Sequence, residues 1–465
     1  MTEENGHPSK NAEASVPKQE GRKMSDASNF LQRVFIGDRI IWVMLAGLFF
    51  VSFLVIYSAT SQFVVNKAND YKEAVSHGGF LLACLIGALL SVHYLQPKHF
   101  RNAILGIFIL AILLLSILFL GLNIHLQIGG FPLFGVVSEN NASRWISLFG
   151  ITFQPSELAK IGLVASIAHI LTVQPTRRLI QWPVEKLRNW GKFQVLTEKK
   201  QIQIVRFLLA LLPIILFDIL IVKENLSTAM LFGFIGMIII FLSGVWDKAI
   251  LWLFLALTLI GAIGVVTIHN MDLDDAQNSS LKRLSTWKTR IDEFAGGDKY
   301  DYNAKSMQII HSQIAIARGE TFGMGPGNSI ERSKLPQAYA DFVFAIFVEE
   351  YGFIASLFLI GLYLTLFYRC GIIARRTKDP YLALLVFGLG AFIVVQALMS
   401  IAVTVHLGPV TGQPLPLISR GKSAILITCF SIACIQKIAY ISKQEQKKED
   451  SSTDTAENEI KTPIL

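Results

Sequence analysis

The chain has 465 residues, of which 52% are hydrophobic and 16% charged, with a mean hydropathy of +0.49. Soluble domains carry roughly 25% charged residues, so a water-soluble enzyme, a nucleic-acid binder and a disordered protein are disfavoured together. What remains is a membrane protein, and its net charge of +8 is read as basic loops between apolar runs, with no nucleic-acid partner implied.

Residues 1–38, rich in Ser, Asn, Glu, Lys and Pro, lack a signal-peptide core and are predicted to be a disordered cytoplasmic tail. Apolar runs follow at 40–60, 78–95, 103–124, 157–173, 205–222, 228–245, 248–268, 342–367, 381–405 and 423–440. The pattern predicts an all-α polytopic membrane protein of about ten transmembrane helices over 39–441, with 442–465 a polar cytoplasmic tail. Loops with Lys98, Arg101, Arg177, Arg178, Lys186, Arg188, Arg369, Arg375 and Arg376 are far more basic than the alternate set. The positive-inside rule therefore puts both termini in the cytoplasm and the large loop 269–340, between helices 7 and 8, on the extracytoplasmic side. Cys84, Cys370, Cys429 and Cys434 show neither a disulfide framework nor a zinc spacing.

Three outward stretches are too polar, or too broken, for plain spans. In the first, Arg144 to Lys160, Pro155 suits a first helical turn, and Glu157 and Lys160 share a helix face. Ionised groups at that depth cost ~2.5–3.5 kcal/mol each, so the pair faces either a wet cavity or itself. The second, Gly323 to Gly352, sets Asp341 where the outer loop meets the eighth span, with Glu349 and Glu350 about two turns inside. Desolvation would fit Asp341 to act as a general base on a sugar hydroxyl; the alternative is a helix cap. The third, His406 to Ser423, has too many prolines and glycines for a helix and is too apolar for a solvated loop, which predicts a re-entrant cavity wall. Arg420 and Lys422 would there either neutralise a pyrophosphate or snorkel to headgroups. Asp272 and Asp274 have a metal-nucleotide spacing but read better as solvated loop acids.

With these motifs in hand, the sequence resembles the SEDS (shape, elongation, division and sporulation) family of polytopic proteins over about residues 35–440. The likeness rests on R-W-I with Q-P-S-E-L-A-K at 144–160, N-L-S-T-A at 225–229, Q-x-x-x-S at 308–312, L-P-x-x-x-x-D-F-V-F-A with E-E-Y-G at 335–352, and P-V-T-G-x-P-L-P-L-I-S-R-G at 409–421. Asn225–Thr228 and Arg420 look more like the division-type FtsW branch than the elongation-type RodA branch. The resemblance implies a peptidoglycan glycosyltransferase that polymerises lipid II and releases undecaprenyl pyrophosphate, in the bacterial cytoplasmic membrane at the division septum. It implies a class B penicillin-binding protein and other divisome proteins as partners. It puts the essential aspartate on Asp341 and makes Arg144, Glu157, Lys160, Glu349, Ser419 and Arg420 substrate-cavity candidates. A divalent cation (Mg or Mn) is a possible cofactor and its ligands are unknown; no organic cofactor is expected. Tyr339 stands where the family often has histidine, which argues against a His–Asp relay. Two rival readings share the ten spans and buried charges: a lipid II flippase, which should show internal repeats, and a scaffold that recruits the crosslinking enzyme without chemistry of its own.

Overall fold

The computed structural model of the protein describes residues 33–60, 70–122, 124–128, 131–139, 142–148, 151–188, 197–223, 225–245, 247–271, 285, 287–292, 304–335 and 340–460. Most of the 1–38 tail, Asp272, Asp274 and Tyr339 thus lie outside the described residues.

Each apolar run becomes a helix. In chain order these are α1 (Arg39–Thr60), α2 (Asp70–Tyr94), α3 (Pro97–Phe119), α4 (Pro155–Thr172), α5 (Arg178–Arg188), α6 (Glu198–Val222), α7 (Leu226–Leu242), α8 (Asp247–His269), α9 (Ala304–Gly319), α10 (Val343–Arg376), α11 (Pro380–Thr404) and α12 (Lys422–Ile460). Among the described residues, six helices (α1, α2, α6, α10, α11 and α12) are long and apolar enough to cross a membrane, and α7 with parts of α3 and α8 are shorter apolar helices. Two helices were not anticipated: α5 in a basic loop, and α9 inside the large loop between α8 and α10. Within the polar C-terminal tail, α12 continues as one helix to Ile460.

Helix α4 sits at the centre and packs on α3, α6, α7, α11 and α12. Its buried residues lie all round its circumference, as expected of a helix enclosed by protein. Where α11 crosses α4 the backbones come close: a Cβ at Gly388 would lie 2.4 Å from Val164 Cγ1, so only glycine fits. Edge-to-face rings of Phe217, Phe232 and Phe392 join α6, α7 and α11, with centroids 5.9 and 5.3 Å apart.

The all-α expectation needs one correction. Between α3 and α4 the chain forms a four-stranded antiparallel meander, β1 (His125–Ile128), β2 (Phe131–Glu139), β3 (Ala142–Leu148) and β4 (Ile151–Phe153). Val136 of β2 pairs with Ile146 of β3, and this apolar face packs on Leu114 and Leu118 at the end of α3. The sheet thereby buries a side that two strands alone could not stabilise in water. The ladder is irregular here, with Val137 opposite Trp145 and Ser138 opposite Ser143, so Arg144 stands at a bulge two residues before the fully buried Ile146.

Candidate active site

The expected pair of α4 is formed. Lys160 Nζ donates to both oxygens of Glu157 at 2.7 Å and to Gln396 Oε1 of α11 at 2.6 Å. These bonds use all three ammonium protons, which settles the choice left by the sequence in favour of a buried pair. Gln396 Nε2 in turn donates to the carbonyl of Pro414 at 3.1 Å, so the network reaches the 405–421 connection.

That connection is irregular backbone packed in protein, as membrane-depth loops must be. Its internal polar groups are held one by one. Gln413 Nε2 donates to Thr228 Oγ1 of α7 at 2.5 Å, and Tyr363 Oη donates to the Pro416 carbonyl at 2.5 Å. Ser52 Oγ donates to the Ile418 carbonyl at 3.0 Å. Ser419 Oγ accepts from Leu415 N–H at 2.8 Å and donates to the Ala340 carbonyl at 2.6 Å. Ser419 therefore fixes the residue that precedes Asp341.

Asp341 is not a helix cap. Helix α10 begins at Val343, its cap position is Phe342, and no side chain caps it. The carboxylate instead faces the connection: Gly412, at φ +65°, would carry a Cβ 3.6 Å from Asp341 Oδ2. Burial pushes the Asp341 carboxyl above its ordinary range, and the guanidiniums of Arg144 and Arg290 pull it partly back. Thus β3, the segment before α9, and the mouth of α10 converge on one acid. Arg290 was missed in the sequence, where it is one cation among several in a mixed-charge loop. It also lines a small cavity with His406, Gly408 and Val410. The charges of Arg420 and Lys422 act on His77 of α2.

Glu349 is placed deeper and is fully enclosed. It accepts from Ser329 Oγ, from Ile330 N–H at 3.1 Å and from Glu331 N–H at 3.3 Å, which binds the loop before Asp341 to α10. Glu331, also fully buried, accepts from His311 Nδ1 and Arg318 Nη1, both at 2.6 Å. Just beyond, α10 breaks at Gly352, whose φ of +77° and ψ of −178° are not helical. The carbonyls of Glu349 and Glu350 accept from Met324 and Gly325 N–H at 2.9 Å, while Phe353 and Ile354 N–H donate to the Glu320 and Thr321 carbonyls at 3.0 and 3.3 Å. The loop 320–325 thus supplies the hydrogen bonds that the broken helix lacks. A Cβ on Gly352 would lie 2.5 Å from Gly323 N, so the E-E-Y-G motif ends in glycine for steric reasons.

Among the described residues no group of three or more His, Cys, Asp or Glu could hold a metal ion. One carboxylate between two guanidiniums does not by itself fit a Mg²⁺ site, which asks for near-octahedral oxygen donors.

Residues 38–444 match the cell cycle protein family of FtsW, RodA and SpoVE. The chain belongs to that family. It is 26% identical to the probable peptidoglycan glycosyltransferase FtsW of Halomonas elongata over 419 residues, covering 88% of this chain and 92% of that protein. The protein of the same name from Bacillus subtilis is 26% identical over 382 residues, 81% of each chain. In fold it is similar to a chain from a peptidoglycan synthase complex that coordinates polymerization and crosslinking (TM-score 0.62, 20% identity, 88% of this chain and 99% of that one). It is also similar to the rod shape determining protein RodA of Thermus thermophilus (TM-score 0.52, 19% identity, 87% and 96%). Both family likeness and fold thus agree with the SEDS resemblance, and the named relatives agree with its FtsW branch.

Proposed function

We propose that this family member is a peptidoglycan glycosyltransferase that polymerises lipid II at the outer face of the cytoplasmic membrane during division. The 4-hydroxyl of one lipid-linked disaccharide attacks the anomeric carbon of another chain, and undecaprenyl pyrophosphate departs. Pyrophosphate is a good leaving group, so the reaction asks for a base and for positive charge more than for an acid. Asp341 is the base. A carboxyl raised by burial is the better proton acceptor, and Arg144 and Arg290 are placed to take the phosphates. Glu157, Lys160 and Ser419 hold the walls and the aspartate in position, and Glu349 holds the loop behind it. The observation that carries this reading is the convergence of Asp341 with two guanidiniums from separate segments at the mouth of α10.

The architecture that goes with it is ten spans with both termini in the cytoplasm, so that the lipid tail stays in the bilayer while the sugar enters from outside. A class B penicillin-binding protein would crosslink the product beside it, with other divisome proteins at the septum. A divalent cation, if used, would ride on the substrate phosphates. Purified protein with its cognate transpeptidase, given lipid II in detergent, should make glycan strands; a flippase or a scaffold would make none. Asp341→Asn should abolish synthesis while leaving the fold and the partner complex intact. Strands of normal length and rate from that variant would remove Asp341 from the chemistry.

A further inference from the structure

The end of the bundle opposite Asp341 holds a charge arrangement that the active site does not use. Asp38, only 2% exposed, accepts from Arg369 Nε at 3.1 Å and more closely from its Nη2. Gln436 of α12 clasps the same residue, accepting from Asp38 N–H at 2.7 Å and donating to its carbonyl at 2.9 Å. Lys443 Nζ donates to the Gly37 carbonyl at 2.7 Å, and Arg39, Arg369 and Arg376 act on Lys443 electrostatically. Cations from the start of α1, the end of α10 and the middle of α12 thus gather about a single buried carboxylate. The acids next along α12 do not balance them: Glu445 projects from another side of the helix, and Glu449 is paired with Lys378.

The depth of the cluster matches a headgroup layer. From Lys422 to Lys443 the helix rises about 32 Å at ~1.5 Å per residue, one hydrocarbon thickness. Tyr368, 66% exposed, lies beside Arg369 at the same level, where interfacial aromatics belong. Arg39 and Arg376 are exposed, and a guanidinium binds phosphate through two parallel donors. Arg369 and Lys443 are occupied by Asp38 and Gly37, so they add field without leaving the protein.

We propose that Arg39, Arg376 and the Asp38-anchored Arg369 and Lys443 form a binding site for the headgroup phosphate of an anionic phospholipid, at the membrane face remote from Asp341. Bound there, the lipid ties the first, tenth and twelfth helices together.

The test is native mass spectrometry of the full-length protein in neutral detergent, titrated with phosphatidylglycerol and, separately, phosphatidylcholine. Each basic residue near an anionic surface is worth about fivefold in affinity, so Arg39→Gln with Arg376→Gln should weaken phosphatidylglycerol retention roughly 25-fold. The same charge removed elsewhere, by Arg177→Gln with Arg178→Gln, should leave it within about twofold. Arg39→Lys with Arg376→Lys, which keeps the charge, should retain most binding, and a thermal melt in lipid-free detergent should be the same for all variants. Equal losses in the two glutamine variants, unchanged retention in the first, or equal retention of phosphatidylcholine would overturn the site. So would displacement of the lipid by millimolar glycerol 3-phosphate, which would assign the cluster to a soluble phosphate.

Discussion

At the scale of single residues, the site depends on which charges are buried and what they face. Removing either member of the Glu157–Lys160 pair strands the other without water, a change worth about 3–5 kcal/mol. Glu157→Gln and Lys160→Met should each lower the detergent melting temperature sharply, and the double variant should lose less than the sum of the two. Asp341 gives a pH prediction with a definite sign. Because its carboxyl is raised by burial, the folded protein holds that proton more tightly than the unfolded chain. Stability should therefore fall as pH climbs from the ordinary carboxylate range through the raised value, and Asp341→Asn should remove that slope. Activity should run the other way, rising as the base loses its proton. Arg290→Gln takes away a charge that favours the carboxylate, so the acid limb of the rate profile should move to higher pH. Asp341 was legible in the sequence because an acid stood at the mouth of an apolar run. Arg290 was not, because its role comes from a long-range approach that leaves no mark among neighbouring lysines and arginines.

Elements differ in how openly the chain declares them. The apolar helices are announced by length and hydropathy alone. The meander between α3 and α4 was overlooked although β-rich stretches flank Gly129-Gly130 and Asn140-Asn141, pairs that favour hairpin turns; the adjoining apolar runs led to its being read as loop and helix entry. On the proposed mechanism it positions Arg144, with the buried Ile146 holding the strand down. Ile146→Ala should cost about 2–5 kcal/mol, and at a temperature where the protein remains folded its kcat/KM should fall in parallel with that of Arg144→Gln. The break in α10 was equally hidden, since E-E-Y-G reads as ordinary helix with a tolerated glycine. Only the arrival of 320–325 from far along the chain explains it. Gly352→Ala forces both an unfavourable φ and a backbone clash, and should destabilise by more than about 1–3 kcal/mol.

The molecule as a whole sorts its chemistry by depth. Arg144, Arg290 and Asp341 lie at one end of the bundle, the Asp38 cluster lies at the other, and α4 carries the buried Glu157–Lys160 pair between them. Helix α4 was expected as a span and is a helix, yet it is not among the six that qualify by length and hydropathy. Its neighbours supply the apolar surroundings that lipid would otherwise provide, which no local property of its sequence reveals. The joint between α10 and 320–325 carries a consequence for how this assembly moves. Four peptide hydrogen bonds close it, at about 1 kcal/mol each when exchanged with solvent and more when left unmade. Anything that lifts the 320–325 segment takes away the partners of the peptide groups on both sides of Gly352, so the break in α10 should loosen with it.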